Sequence, residues 1–135
     1  MRLTPSTTPQ ERAPVPEPLA GWRVVANPSS IDEIGGVVLR FAPDDALALS
    51  DAAPEISDPD AIVERDTGWV SLRLSEKEAL ELISIHATWH APVERPSFAQ
   101  GMLAGLPAKV YLNGAASLIV VPAPFAHELD ERLRP

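Results

Sequence analysis

Cysteine is absent from this chain, and lysine nearly so: Lys77 and Lys109 are the only two. Without thiols there is no disulfide framework, no thiolate metal site and no cysteine nucleophile. A reducing compartment suits such a chain, and we expect a cytoplasmic protein. No apolar run approaches the length of a membrane span, and no secretory apolar segment follows Met1-Arg2, so neither a membrane anchor nor a leader is expected. Positive charge is also scarce. Eleven Lys and Arg face nineteen Asp and Glu, a formal net charge of −8. Such a surface repels phosphate backbones and argues against nucleic acid as a partner.

Proline, by contrast, is plentiful, and five of the fifteen lie in the first eighteen residues. Residues 1–20, MRLTPSTTPQERAPVPEPLA, lack apolar periodicity and are expected to form an extended Pro-rich arm outside the core. Pro14, Pro16 and Pro18 stiffen its far end, which lowers the entropy lost if it docks on a partner. No PxxP spacing occurs in it, so a signalling-adaptor ligand is not supported. Residues 21–135 have the length of one domain.

That domain is organised around residues 66–112. Asp66-Thr67-Gly68 has turn chemistry. Val70, Leu72 and Leu74 then alternate with Ser71 and Arg73, the period of a half-buried strand. Ser75 with Glu78 three places on is a capping box. It opens a helix to about His86, with Ala79, Leu80, Leu82, Ile83 and His86 on one face. Pro92 and Pro96 exclude helix beyond about His90. A long loop over residues 91–107 is expected next, and loops of that length are functional or held by a partner.

The remaining elements follow from local pattern. Trp22 sits in a short strand or at the end of the arm. Residues 31–34 suit one helical turn. Residues 37–41 and 47–49 make a hairpin around Pro43-Asp44-Asp45. Residues 61–64 pair with 69–74 as a second hairpin. Residues 108–112 and 117–121 form a third across Asn113-Gly114. Leu118-Ile119-Val120-Val121 lacks alternation, as expected of a central strand covered on both faces. Phe125, Leu129 and Leu133 are the spine of a last helix, opened by Pro124. The predicted class is α+β: an antiparallel or mixed sheet built from hairpins, with two helices packed on one side.

Candidate chemistry is thin. His86 and His90 are four apart, a zinc-compatible spacing, but Ala87 stands where a metalloprotease has glutamate, and His127 lies on another element. A structural histidine pair is the better reading. Ser97 and His127 lack any G-x-S-x-G context for a hydrolase triad. Gly101 and Gly105 follow no strand signal and precede no Lys-Ser/Thr, so neither a P-loop nor a dinucleotide fingerprint is present. Asp51, Glu55, Asp58 and Asp60 lack EF-hand spacing and read as a solvated acidic loop. Arg95 and Arg73 could meet an acidic partner, although Arg73 reads more simply as a surface cation.

Several stretches together resemble the gamma subunit of heterotetrameric sarcosine oxidase. DTGWVSLRLSEKEALELIS resembles that family's strand-to-helix passage, and PSFAQGMLAGLPAKVYL the stretch after the helix. LIVVPAPFAHEL is similar to its final strand and helix, and VVLRFAPDDALALS to an early hairpin. The likeness spans about residues 36–133 in the family's order. The chain departs from the pattern in having only DAAPEISDPD between the first two hairpins, HAPVERP after the helix, and a Pro-rich arm.

The resemblance implies a partial aminomethyltransferase-like domain serving assembly of a flavin-dependent complex that oxidises sarcosine or a related N-methyl amino acid. It implies no cofactor in this chain, with FAD, FMN and NAD in large alpha and beta subunits and zinc in a small delta subunit. Trp22, Trp89, Arg95 and Phe98 would then be the partner-facing residues. The alternative is a free-standing binding module with a folate-like pocket, for which Glu94 and Glu55 are the candidate pterin carboxylates. A His-dependent metalloenzyme is a third reading.

Overall fold

In the computed structural model, residues 15–133 are described; the first fourteen residues of the arm lie outside them. The chain runs β1 (Glu17–Val25), α1 (Pro28–Asp32), β2 (Val38–Ala42), β3 (Asp45–Ala48), β4 (Ile62–Leu74), α2 (Glu76–His86), β5 (Ser97–Leu103), β6 (Leu106–Leu112), β7 (Ser117–Pro122) and α3 (Ala126–Leu133). Short 3-10 turns at Gly114–Ala116 and Ala123–Phe125 flank β7. The seven strands form one sheet in the order β2-β3-β1-β4-β7-β6-β5, every neighbouring pair antiparallel. The fold is therefore α+β, mostly antiparallel sheet, with three short helices where two were expected.

The largest departure from expectation lies at Asp66-Thr67-Gly68. These residues do not turn the chain back. They sit inside the thirteen-residue β4, and the pairing with β1 slips there, between Leu19 opposite Trp69 and Gly21 opposite Asp66. The Asp66 carboxylate accepts the Gly68 N–H at 2.9 Å, so the local turn chemistry is spent on a bulge. A continuous β1 on one side holds β4 straight enough to stay one strand. β1 begins at Glu17, inside the stretch assigned to the arm, and its residues 17–19 pair with Trp69, Val70 and Ser71.

The bulge turns the alternation of β4 over. Before it, Val63 packs beside Val24, Ala46 and Ile31 of α1. After it, Val70, Leu72 and Leu74 pack on Ala79 and Ile83 of α2, Leu129 of α3, and Val110, Ile119 and Val121. All three helices thus lie on one side of the sheet. The other side is rolled inward: Leu39 and Leu47 from β2 and β3 share a buried cluster with Tyr111, Leu118 and Val120 from β6 and β7. The two edge strands approach each other, and the Gln100 side chain on β5 donates to the Phe41 carbonyl on β2 at 2.8 Å. β7 is buried on both faces, as its unbroken apolar run predicts.

Local sequence explains the other elements. Asn27 caps α1 by accepting from Ser30 N at 2.9 Å, with Pro28 in its first turn. The capping box forms in full at α2, Ser75 and Glu78 exchanging backbone and side-chain bonds. The expected long loop is shorter than its sequence suggests, because residues 97–103 pair with 106–112 as a tight hairpin. Ala104 and Gly105 at its tip both have positive φ, 52° and 81°, as a two-residue primed turn requires. Alanine takes that conformation because the tip is clamped. Ala104 N–H donates to the last-turn carbonyl of His86 at 2.9 Å, and Arg132 on α3 donates to the Ala104 carbonyl at 2.9 Å.

The clamp holds Ala104 in a backbone region that costs an L-residue about 1–2 kcal/mol and glycine almost nothing. Ala104→Gly keeps both backbone bonds and is expected to stabilise the domain by about 1 kcal/mol, a rise of roughly 3–5 °C in Tm. Thermal unfolding followed by circular dichroism reads this; an unchanged or lower Tm would show that the turn stores no such strain.

Candidate functional site

Chemistry-bearing side chains gather on the rolled-in face of the sheet. Six strands contribute: Arg23 from β1, Phe41 from β2, Asp45 from β3, Asp66 and Trp69 from β4, Gln100 from β5 and Lys109 from β6. The register explains the meeting. Gln100 lies opposite Lys109, Lys109 opposite Val120, Val120 opposite Ser71, and the alternation in β4 puts Trp69 on the same face as Ser71. The roll then carries Phe41 across to them, its ring 5.3 Å from that of Trp69 and 6.2 Å from that of Phe98.

Phe41 is flanked by two cations. The Arg23 guanidinium lies 4.8 Å from its ring centre and the Lys109 ammonium 4.5 Å, with Lys109 also 5.6 Å from the Trp69 ring. The two cations are compensated differently. Arg23 makes a two-pronged pair with Asp45 at 2.6 and 2.7 Å and lies 3.6 Å from Asp66, whose carboxylate also accepts the Trp69 indole N–H at 3.0 Å. Lys109 donates to the Gln100 side-chain oxygen at 2.7 Å, and among the described residues it has no carboxylate at ion-pair distance. Burial, then the nearby Arg23 charge, push the Lys109 ammonium below its ordinary value, while Asp45 pulls the other way.

The four residues expected to face partners are not brought onto one surface. Phe98 packs on this rolled-in face beside Phe41. Trp22 lies on the opposite side, in register with Ala48 and Arg65. The Arg65 guanidinium stacks 5.3 Å from its ring, and its buried indole N–H has no hydrogen-bond partner among the described residues. Arg95 is turned back on its own chain, bonding Glu76 at 2.8 Å and the carbonyls of Pro92 and Glu94 at 2.6 Å. Glu76 in turn accepts from Gly114 N at 3.1 Å, and these bonds hold its carboxyl below the usual range. Arg95 therefore fastens the segment before β5 to the start of α2.

Trp89 is half-buried and belongs to the fold as well as to the surface. Its indole N–H donates to the Met102 carbonyl at 2.9 Å. Its ring lies so close over Gly101 that a Cβ there would fall 2.5 Å from the indole nitrogen. Gly101 is thus a packing glycine, the reason for one half of the QGMLAG pair. Trp89 also walls a groove of about 280 Å³ with Leu80, Ile83, Ser84, Ala87 and Ala91. In the same stretch of chain Ile85 is 72% exposed and Val93 88% exposed, too open for either to serve the core.

The other candidates separate. α2 ends at His86, leaving His90 beyond it, and His127 pairs with Glu131 on α3 at 3.2 Å. Ser97 is in β5 with its hydroxyl buried. Glu55 and Glu94 are exposed, so neither is the buried carboxylate a pterin site needs. Asp58 accepts from Asn27 N and Asp60 N, each at 2.8 Å, and those bonds hold it below the usual carboxylate range. Among the described residues no three His, Asp or Glu side chains gather as a metal-ligand set, and no helix is long and apolar enough to cross a membrane. Comparison with family models, curated proteins and solved structures gives no match to this chain.

The lowered Lys109 value has a sign. A base whose folded value is depressed holds fewer protons folded than unfolded. Its cost to stability is therefore present at neutral pH and is relieved as pH rises through the depressed value toward that of an unfolded lysine. Lys109→Met is expected to hold or raise Tm at neutral pH, with the advantage over the wild type shrinking in alkaline buffer. A clear loss of Tm at neutral pH would contradict this and make the ammonium a stabilising contact.

Proposed function

We propose that this chain is a non-catalytic accessory subunit, of the gamma kind found in heterotetrameric sarcosine oxidase, serving the assembly and stability of a flavin-dependent amine-oxidising complex. The observation that carries the reading is the apolar surface at the C-terminal end of α2. Ile85 in its last turn and Val93 beyond it stand in solvent, and Trp89, between them in the chain, walls a groove. Large apolar side chains left in solvent mark a docking surface for another protein. The segment between α2 and β5 is fastened by Arg95 and Trp89, so the surface is already formed before any partner arrives, which lowers the entropy lost on binding.

The sequence resemblance supplies the rest of the proposal. The domain is then an aminomethyltransferase-like partial domain working in the cytoplasm. FAD, FMN and NAD sit in large alpha and beta partners, zinc sits in a small delta subunit, and the substrate is sarcosine or a related N-methyl amino acid. Phe98 and Arg95 act within this chain, and the partner contact falls to Trp89 with its exposed neighbours.

The test is purification of the tagged chain from its native cell at gentle salt, beside the double variant Ile85→Asp, Val93→Asp. Large yellow subunits whose flavin is bleached by an N-methyl amino acid are expected with the wild type and not with the variant. The isolated variant should keep the wild-type Tm, since both side chains lie in solvent. A colourless single-chain wild type would overturn the proposal.

A further inference from the structure

We propose that the rolled-in face carries a second site, independent of the docking surface, for a small organic monoanion: a carboxylate with an aromatic or apolar body, its charge on Lys109 and its body on Phe41, Trp69 and Phe98.

The charge arrangement argues for it. Arg23 and Asp45 satisfy each other through two bonds, and Asp66 is shared between Arg23 and the Trp69 indole. Lys109 is left with a neutral acceptor, Gln100, and two ring faces. An ammonium has three N–H donors, and Gln100 takes one of them. A part-buried cation with no carboxylate at ion-pair distance among the described residues, next to a second cation, is a cost that a bound anion would offset.

The same arrangement limits the ligand. Asp45 and Asp66 stand beside the two cations, so the four charges sum to about zero, and the two carboxylates repel a dianion about twice as strongly as a single carboxylate. Phe41, Trp69 and Phe98 are each only half-buried, and Leu19 and Leu49 share their cluster. These part-open apolar groups can cover the body of an organic acid and give nothing to inorganic phosphate. Few convergent polar groups beside part-exposed apolar side chains, supplied by several strands, is the make-up of a small-molecule site. Lys109 would position the carboxylate by hydrogen bonding, through the donors that Gln100 does not take, and no bond is made or broken.

Titration of the full-length chain with benzoate, followed by amide and indole resonances in two-dimensional NMR, tests this. Saturable shifts are expected at Phe41, Trp69, Gln100 and Lys109. Lys109→Met should weaken binding by about tenfold or more, while Lys109→Arg retains most of it. Binding should also fade as pH rises through the range where Lys109 deprotonates. Gln100→Leu keeps the ammonium and frees one donor, so it should bind benzoate at least as well; it serves as the second variant should Lys109→Met fail to fold. Shifts that do not saturate, shifts that persist unchanged in Lys109→Met, weakened binding in Gln100→Leu, or equal affinity for inorganic phosphate would each overturn the proposal.

Discussion

The bulge at Asp66-Thr67-Gly68 is the constraint on which this fold depends. One strand, β4, has to serve two cores: Val63 beside α1 and the N-terminal strands, and Val70, Leu72 and Leu74 beneath α2 and α3. Counted straight through, those residues point to opposite sides. One extra residue restores them to one side, and the same irregularity adds the local twist with which a sheet begins to roll. Asp66 closes the bulge onto Gly68 and also ties Trp69 and Arg23 together on the inner face. Backbone repair and the placement of the charged cluster are therefore one piece of local chemistry.

The two sides of the sheet are equipped for different work. On the helix side, Arg95 and Trp89 use their polar atoms inward, on Glu76 and on backbone carbonyls, and this braces a segment whose Val93 remains outside. A braced apolar surface is what a protein partner meets with least entropic loss. On the inner side, polar side chains converge from five strands, and Lys109 has no carboxylate at ion-pair distance among the described residues. The first arrangement supports assembly into a larger complex; the second supports recognition of a small acid.

Much of the fold was legible in the residues, and the reasons are local. The capping box at Ser75 and Glu78, the hairpin around Pro43-Asp44-Asp45, the unbroken run at 118–121 and the spine Phe125, Leu129, Leu133 each encode their structure within a few positions, and each forms, with Asp45 already paired in β3 and Phe125 in the 3-10 turn before α3. Failures came where neighbours decide. Asp-Thr-Gly has the same chemistry in a turn and in a bulge, and only the presence of β1 alongside selects the bulge. Ala104-Gly105 lacks the Asn-Gly signal, because contacts from His86 and Arg132 impose the left-handed backbone on alanine. β5, SFAQGML, shows little alternation, since Gly101 is there to admit Trp89. Of the site, Lys109 stood out only as one of two lysines. Its meeting with Arg23, Phe41 and Trp69 depends on sheet order and roll, which spacing along the chain does not encode. Of the interface candidates, Arg95 bonds Glu76 and nearby carbonyls and Phe98 packs beside Phe41, contacts that spacing along the chain does not show.

The most direct test of the central claim, that the surface around α2's C-terminal end is built to be covered by another protein, is hydrogen–deuterium exchange. It would be measured on the chain alone and in its assembly from the native cell. Slowed exchange is expected in the assembly at residues 83–93 and 97–102, with the strands β1 to β3 unchanged. Equal exchange at residues 83–93 in both states, or protection confined to other elements, would contradict it.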